Sequence, residues 1–267
     1  MKKGSKMNKF TKLAIAAIVG MSSVVANAGE ITVGGVSWDP DFDDGFSMDF
    51  GATTSFQQWF TTSSTIGTEE IVLATADNAV NAGTAGSELV GVGEFNLLNG
   101  LDNTGFLCAG CELTFAFGGI VLGAGGFDVT DSWIKIFSDS SADFVTSVGD
   151  FVDAQDGQLW LTGAFDSFNL ISGTIQSGFA EGLISVDGGL AFANFDTDGQ
   201  PIGLGGSDLK LSSSANFLSN PKFSNVASAD LVGNTVSTVR VSAPATLAIF
   251  GLGLIGLGAS ARRRKSL

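Results

Sequence analysis

Carboxylates at alternate positions are the first feature of this chain that could do chemistry. Asp39, Asp41 and Asp43 precede Asp44 and Gly45, and Asp196 and Asp198 precede Gly199. Aspartates spaced in this way ahead of a glycine are how a loop gathers several hard oxygens around one calcium ion. These five residues therefore carry the calcium expectation; no other cofactor is expected. Neither segment has the closing glutamate of an EF-hand loop, and Asp-Gly turns between strands look the same without a metal.

Aromatic side chains give a second chemistry, stacking on sugar rings. Trp38 and Trp59 are the candidates for such a carbohydrate-binding surface. Trp133 and Trp160 stand beside Ile134 and Leu161 in strand-like patterns and are expected in the core. The third candidate is Cys108-Ala109-Gly110-Cys111, which holds the only two cysteines. A zinc site needs two further Cys or His ligands, and thioredoxin-type chemistry needs a helix start in a βαβ pattern; neither context is present. A disulfide across a turn is expected, contributing at the low end of roughly 0 to 5 kcal/mol because the loop it closes is tiny.

Several function classes are excluded or disfavoured by composition. The 267 residues include no histidine. Ser/His/Asp and Cys/His nucleophiles, histidine-ligated zinc and the usual neutral-pH general base are thereby removed. A glycosidase would need two opposed carboxylates, and spacing singles out no pair among 27 acidic residues. The chain is expected not to be an enzyme. All 27 acids lie between Glu30 and Asp230, whereas Gly29–Val241 holds only Lys135, Lys210, Lys222 and Arg240 as basic residues. Four positive against 27 negative charges leave this body at −23, which excludes a nucleic-acid surface and favours solubility, divalent cations or neutral and basic partners.

The elements that would position these residues are strands. Period-two alternation recurs in Ile31–Val33, Phe46–Phe50, Leu113–Phe117, Leu159–Thr162 and Leu209–Leu211. Asp44-Gly45, Asn99-Gly100, Asp156-Gly157, Asp187-Gly188-Gly189 and Asp198-Gly199 supply turns between them. With 37 glycines and 22 phenylalanines, this predicts an all-β fold, a single Gly-rich antiparallel β-sandwich or jelly roll over residues 29–230. Residues 77–82 and 138–144 are the best helical stretches, each a turn or two. Residues 231–242 read as a spacer.

Both ends read as addresses. Residues 1–28 carry five lysines, then an apolar run from Leu13 to Val19, and close on Ala26-Asn27-Ala28. That is the pattern of a secretory signal peptide cleaved between Ala28 and Gly29. At the other end Pro244 precedes an uncharged stretch over 245–261, followed by Arg262, Arg263, Arg264 and Lys265. Seventeen uncharged residues are just long enough to cross a bilayer, and the basic tail at 262–265 would stay on the cytoplasmic side.

Ala243-Pro244-Ala245-Thr246-Leu247, the run GLGLIGLG and Arg262–Arg264 together resemble the PEP-CTERM sorting tail of Gram-negative bacteria. This sequence has Ser242-Ala243-Pro244-Ala245 where that family has Pro-Glu-Pro. The body stretches Val33–Asp41, Phe106–Phe117 and Gly188–Asp198 also look like stretches of PEP-CTERM sorting-domain proteins. The resemblance implies export by the general secretion machinery and recognition of residues 243–267 by an exosortase-type membrane protease. It further implies release to the cell surface or an exopolysaccharide matrix, where extracellular polysaccharide is a partner and the role is structural or adhesive. A carbohydrate-binding module, or a secreted glycan-active enzyme, is the competing expectation.

Overall fold

The structure, a computed structural model, describes residues 29–42, 48–61, 79–80, 84–146, 152–174, 177–197, 206–216 and 227–235. All lie in the compact unit Gly29–Thr238. The signal segment, the apolar stretch 245–261 and the basic cluster fall outside the described residues. Among those described, no helix is long and apolar enough to cross a membrane.

A short hairpin, β1 (Ile31–Val33) and β2 (Val36–Trp38), opens the unit. The main sheet is built from β3 (Phe50–Thr61), β5 (Glu88–Leu98), β7 (Glu112–Gly123), β9 (Trp133–Asp139), β10 (Gln158–Thr174), β11 (Ser177–Gly188), β12 (Leu209–Asn216) and β13 (Ala227–Gly233). Short strands β4 (Ala79–Val80), β6 (Leu101–Asp102) and β8 (Gly126–Asp128) hang on it, and α1 (Asn103–Phe106) and α2 (Phe192–Phe195) are single helical turns.

The sheet runs β3-β13-β12-β11-β10-β9-β7-β5, antiparallel throughout, and β5 pairs again with β3 from Ala52↔Leu98 to Thr61↔Glu88. It is therefore a closed eight-stranded barrel, which corrects the expected sandwich or jelly roll. The strands supply the reason. They are long, up to 17 residues in β10, and bulges at Thr53/Thr54, Leu89/Gly91, Leu159/Leu161 and Thr162/Gly163 bend them around an axis. With β3 paired on both edges, there is no seam at which two sheets could separate.

Eight strands leave an interior just wide enough for side chains to fill. Phe56, Phe95, Phe115, Phe117 and Phe165 occupy it, in edge-on and tilted contacts with centroids 5.6–6.2 Å apart. Glycine makes room for them. Gly91 stands opposite Phe117 and Gly93 opposite Phe115, and a Cβ at either position would overlap the facing ring. The cavity remaining among Ile134, Ile136, Leu161, Ile184, Leu209 and Leu231 is about 10 Å³, no larger than one water needs.

One barrel end is closed by the first hairpin and α2. Trp38 packs edge-on to Trp160 at 5.8 Å, and Phe195 lies within 5.5 Å of Trp38, Trp160 and Phe50. The Trp160 indole donates to the Val33 carbonyl at 2.9 Å and the Ser138 hydroxyl to the Gly34 carbonyl at 2.9 Å.

Three smaller expectations are also corrected. Within residues 77–82, Ala79–Val80 is strand, because it pairs with Phe60–Thr61. Ser138–Phe144 is the end of β9 and an irregular loop, while the helical turns fall at Asn103–Phe106 and Phe192–Phe195. The body extends beyond residue 230: Leu231 is buried in β13, and Thr235 donates its backbone N–H to Asp49 at 2.6 Å. The supposed spacer thus begins within the barrel.

Candidate functional site

The register of β7 against β9 sets Glu112, the first residue of one strand, opposite Asp139, the last of the other. The Cys108–Cys111 disulfide lies just ahead of Glu112, with Cα atoms 5.3 Å apart, and the Cys111 N–H donates to the Cys108 carbonyl at 3.0 Å. Gly110, at φ +80°, lets the chain turn there. The sequence expectation of a stapled turn entering a strand matches this arrangement.

Between β9 and β10, residues 140–146 and 152–157 lie on the outer barrel wall. Phe144 and Ala154 bury themselves against Trp59, Val90, Val92 and Ala116, forming a second apolar cluster outside the barrel. The loop is tied down at several points. The Phe144 N–H donates to both Glu112 oxygens at 3.1 and 3.3 Å, Thr114 donates to the Ala154 carbonyl at 2.9 Å, and the Ala142 N–H donates to the Gly110 carbonyl at 3.0 Å.

This path brings Asp143 and Asp156 to the Glu112–Asp139 pair. One carboxylate oxygen from each of the four residues lies within 4.8 Å of the others. Glu112 is buried, Asp139 half-buried, and Asp143 and Asp156 exposed. Burial pushes the Glu112 carboxyl up to about 7, with Asp143 and Asp139 adding to the rise against the opposing Phe144 hydrogen bond. Asp156 is raised by burial first and then by the charges of Asp139 and Asp143. Four oxygen donors suit a hard cation such as calcium and not a soft one; protonation of Glu112 relieves the same repulsion without a metal.

The calcium expectation centred on other aspartates. Asp39 accepts the Asp41 N–H at 2.9 Å in a local turn, and Asp196 ends α2; none of these three belongs to a carboxylate cluster among the described residues. Asp43 and Asp198 lie outside the described residues. The same turn device recurs where Asp102 and Asp128 accept from Thr104 and Thr130, whose hydroxyls hold both carboxyls below their usual range.

The sugar-stacking expectation is corrected. Trp38 is 0% exposed inside the aromatic cap, and Trp59 is 3% exposed beneath Phe144 and Ala154. Neither ring has a face left for a ligand. Trp160 is buried as expected, while Trp133 lies half-buried against the outer cluster.

Comparison with protein-family models, curated proteins and solved structures finds no match to this chain.

Sequence spacing does not reveal the four-carboxylate cluster, since its members are up to 44 positions apart and meet only through strand register. The available signal is Glu112 at the start of a strand pattern, beside the cysteine pair.

Proposed function

We propose that this chain is an exported cell-surface or exopolysaccharide-matrix protein of PEP-CTERM type with a structural or adhesive, non-enzymatic role. It is delivered by the secretion machinery and processed at its C-terminal tail by an exosortase-type protease. The observation that carries the reading is the tail itself: Ala243-Pro244-Ala245, the apolar stretch 245–261 and Arg262–Arg264. The lysine-rich, Ala-x-Ala-ended segment before Gly29 supports it. The body is consistent with a passive role, being a closed barrel packed by aromatic rings and bearing a strongly acidic sequence. Burial of Trp38 and Trp59 removes the specific argument for sugar stacking.

Removal of residues 243–267 tests this. The truncated chain is expected to appear in the medium as a folded barrel with or without the sorting protease, whereas the full chain reaches the medium only when the protease is present, detected by fractionation and immunoblotting. Unchanged surface retention would contradict the tail's role.

A further inference from the structure

The strand pair β10–β11 outruns the barrel wall. β9 pairs with β10 only from Gln158 to Gly163, whereas β11 continues beside it to Thr174↔Ser177, and β12 extends alongside β11 to Ser177↔Asn216. The Ser132 hydroxyl takes the next position, accepting the Phe165 N–H at 3.0 Å and donating to its carbonyl at 3.3 Å. Beyond it, no strand among the described residues pairs with that edge of β10, although Phe127 of β8 packs on Phe168 at 5.1 Å. Asn169, Ile171, Ser172 and Gly173 are exposed, Ile171 at 55%.

An edge of this kind presents a row of backbone donors and acceptors that another strand can complete, and proteins commonly block it with lysine, proline or charge. From Ser167 to Ala180 this chain has none of these: fourteen residues without a charge or a proline, in a body of net charge −23. Two such anionic bodies repel over most of their surfaces, but at this hairpin they can meet with no like charges opposed.

We propose that the β10 edge over Ser167–Gly173 is a self-association site, taken by the same edge of a second copy in antiparallel pairing. The chain supplies both strands, so the contact is isologous and closes on itself. Antiparallel orientation places the two Asp166 carboxylates at opposite ends; a parallel one would set them side by side, which is unfavourable. The pairing deepens the structural role proposed above but rests on the barrel alone, so its failure would leave the export route untouched.

The test is sedimentation velocity across a concentration series, on Gly29–Thr238, which carries the whole barrel and its core, and on the full chain in detergent. A concentration-dependent dimer that strengthens with salt is expected, because screening weakens the net repulsion. Ile171→Glu introduces opposing charge and should abolish the dimer while circular dichroism and Tm stay unchanged. Leu97→Glu, at an exposed apolar position on β5, should leave it intact. A wild-type barrel that is monomeric at every concentration, or a folded Ile171→Glu barrel that still dimerises, overturns the proposal.

Discussion

Two buried glutamates set how the barrel responds to pH. Glu88 accepts the Gly119 N–H at 2.5 Å, and burial pushes its carboxyl up to about 7, as it does for Glu112. In the unfolded chain both titrate near 4.5. Between those values the native state holds protons that the unfolded state has lost, so stability falls as pH rises from about 4.5 to about 7 and levels off above. Urea unfolding at pH 5 and pH 8 is expected to show the lower midpoint at pH 8. Glu112→Gln should reduce that difference by on the order of 1 kcal/mol, since an amide can still accept the Phe144 N–H without a charge. An equal pH difference in the variant would show that Glu112 does not carry it. Trp38 teaches the reverse lesson about residue types. The sequence offers it as a sugar-stacking ring, but it closes the barrel end. Trp38→Ala is expected to cost about 3–5 kcal/mol in unfolding free energy, and a loss below about 1 kcal/mol would contradict a packing role.

Most strand elements are legible in the sequence, whereas their closure is not. Ile31–Val33, Leu113–Phe117, Leu159–Thr162 and Leu209–Leu211 alternate clearly and are strand in the structure. Asn99-Gly100 forms a tight turn with both φ angles positive. What distinguishes a barrel from a sandwich is whether one strand pairs on both edges, and β3 does so with partners Ala227–Gly233 and Glu88–Leu98, the first 171 to 183 positions away. No local pattern encodes that. A trace of it survives in the interior glycines: Gly91 and Gly93 alternate with Val90 and Val92, so β5 offers rings a place inside the barrel while its valines serve the outer cluster. Gly91→Val should therefore overpack the interior and cost at least about 1–3 kcal/mol, measured by thermal unfolding. A neutral result would mean that Phe117 has room to move aside. The carboxylate cluster was hidden for a related reason, because Glu112 and Asp139 become neighbours only once β7 and β9 are in register.

At the scale of the whole molecule, composition divides the chain into an acidic body and two basic, apolar ends. Nine of the 13 basic residues sit in the two end segments, and all 27 acids sit in the body between them. The acidic body folds into a closed, ring-filled barrel; the basic, apolar ends are the segments proposed as export and sorting signals. The most direct test of that division is the intact mass of the protein from medium and membrane fractions of its host, with and without the gene for the sorting protease. The account predicts a medium form beginning at Gly29 and ending near Pro244 that disappears when the protease gene is deleted. A membrane form that keeps Arg262–Leu267 in both strains would contradict it.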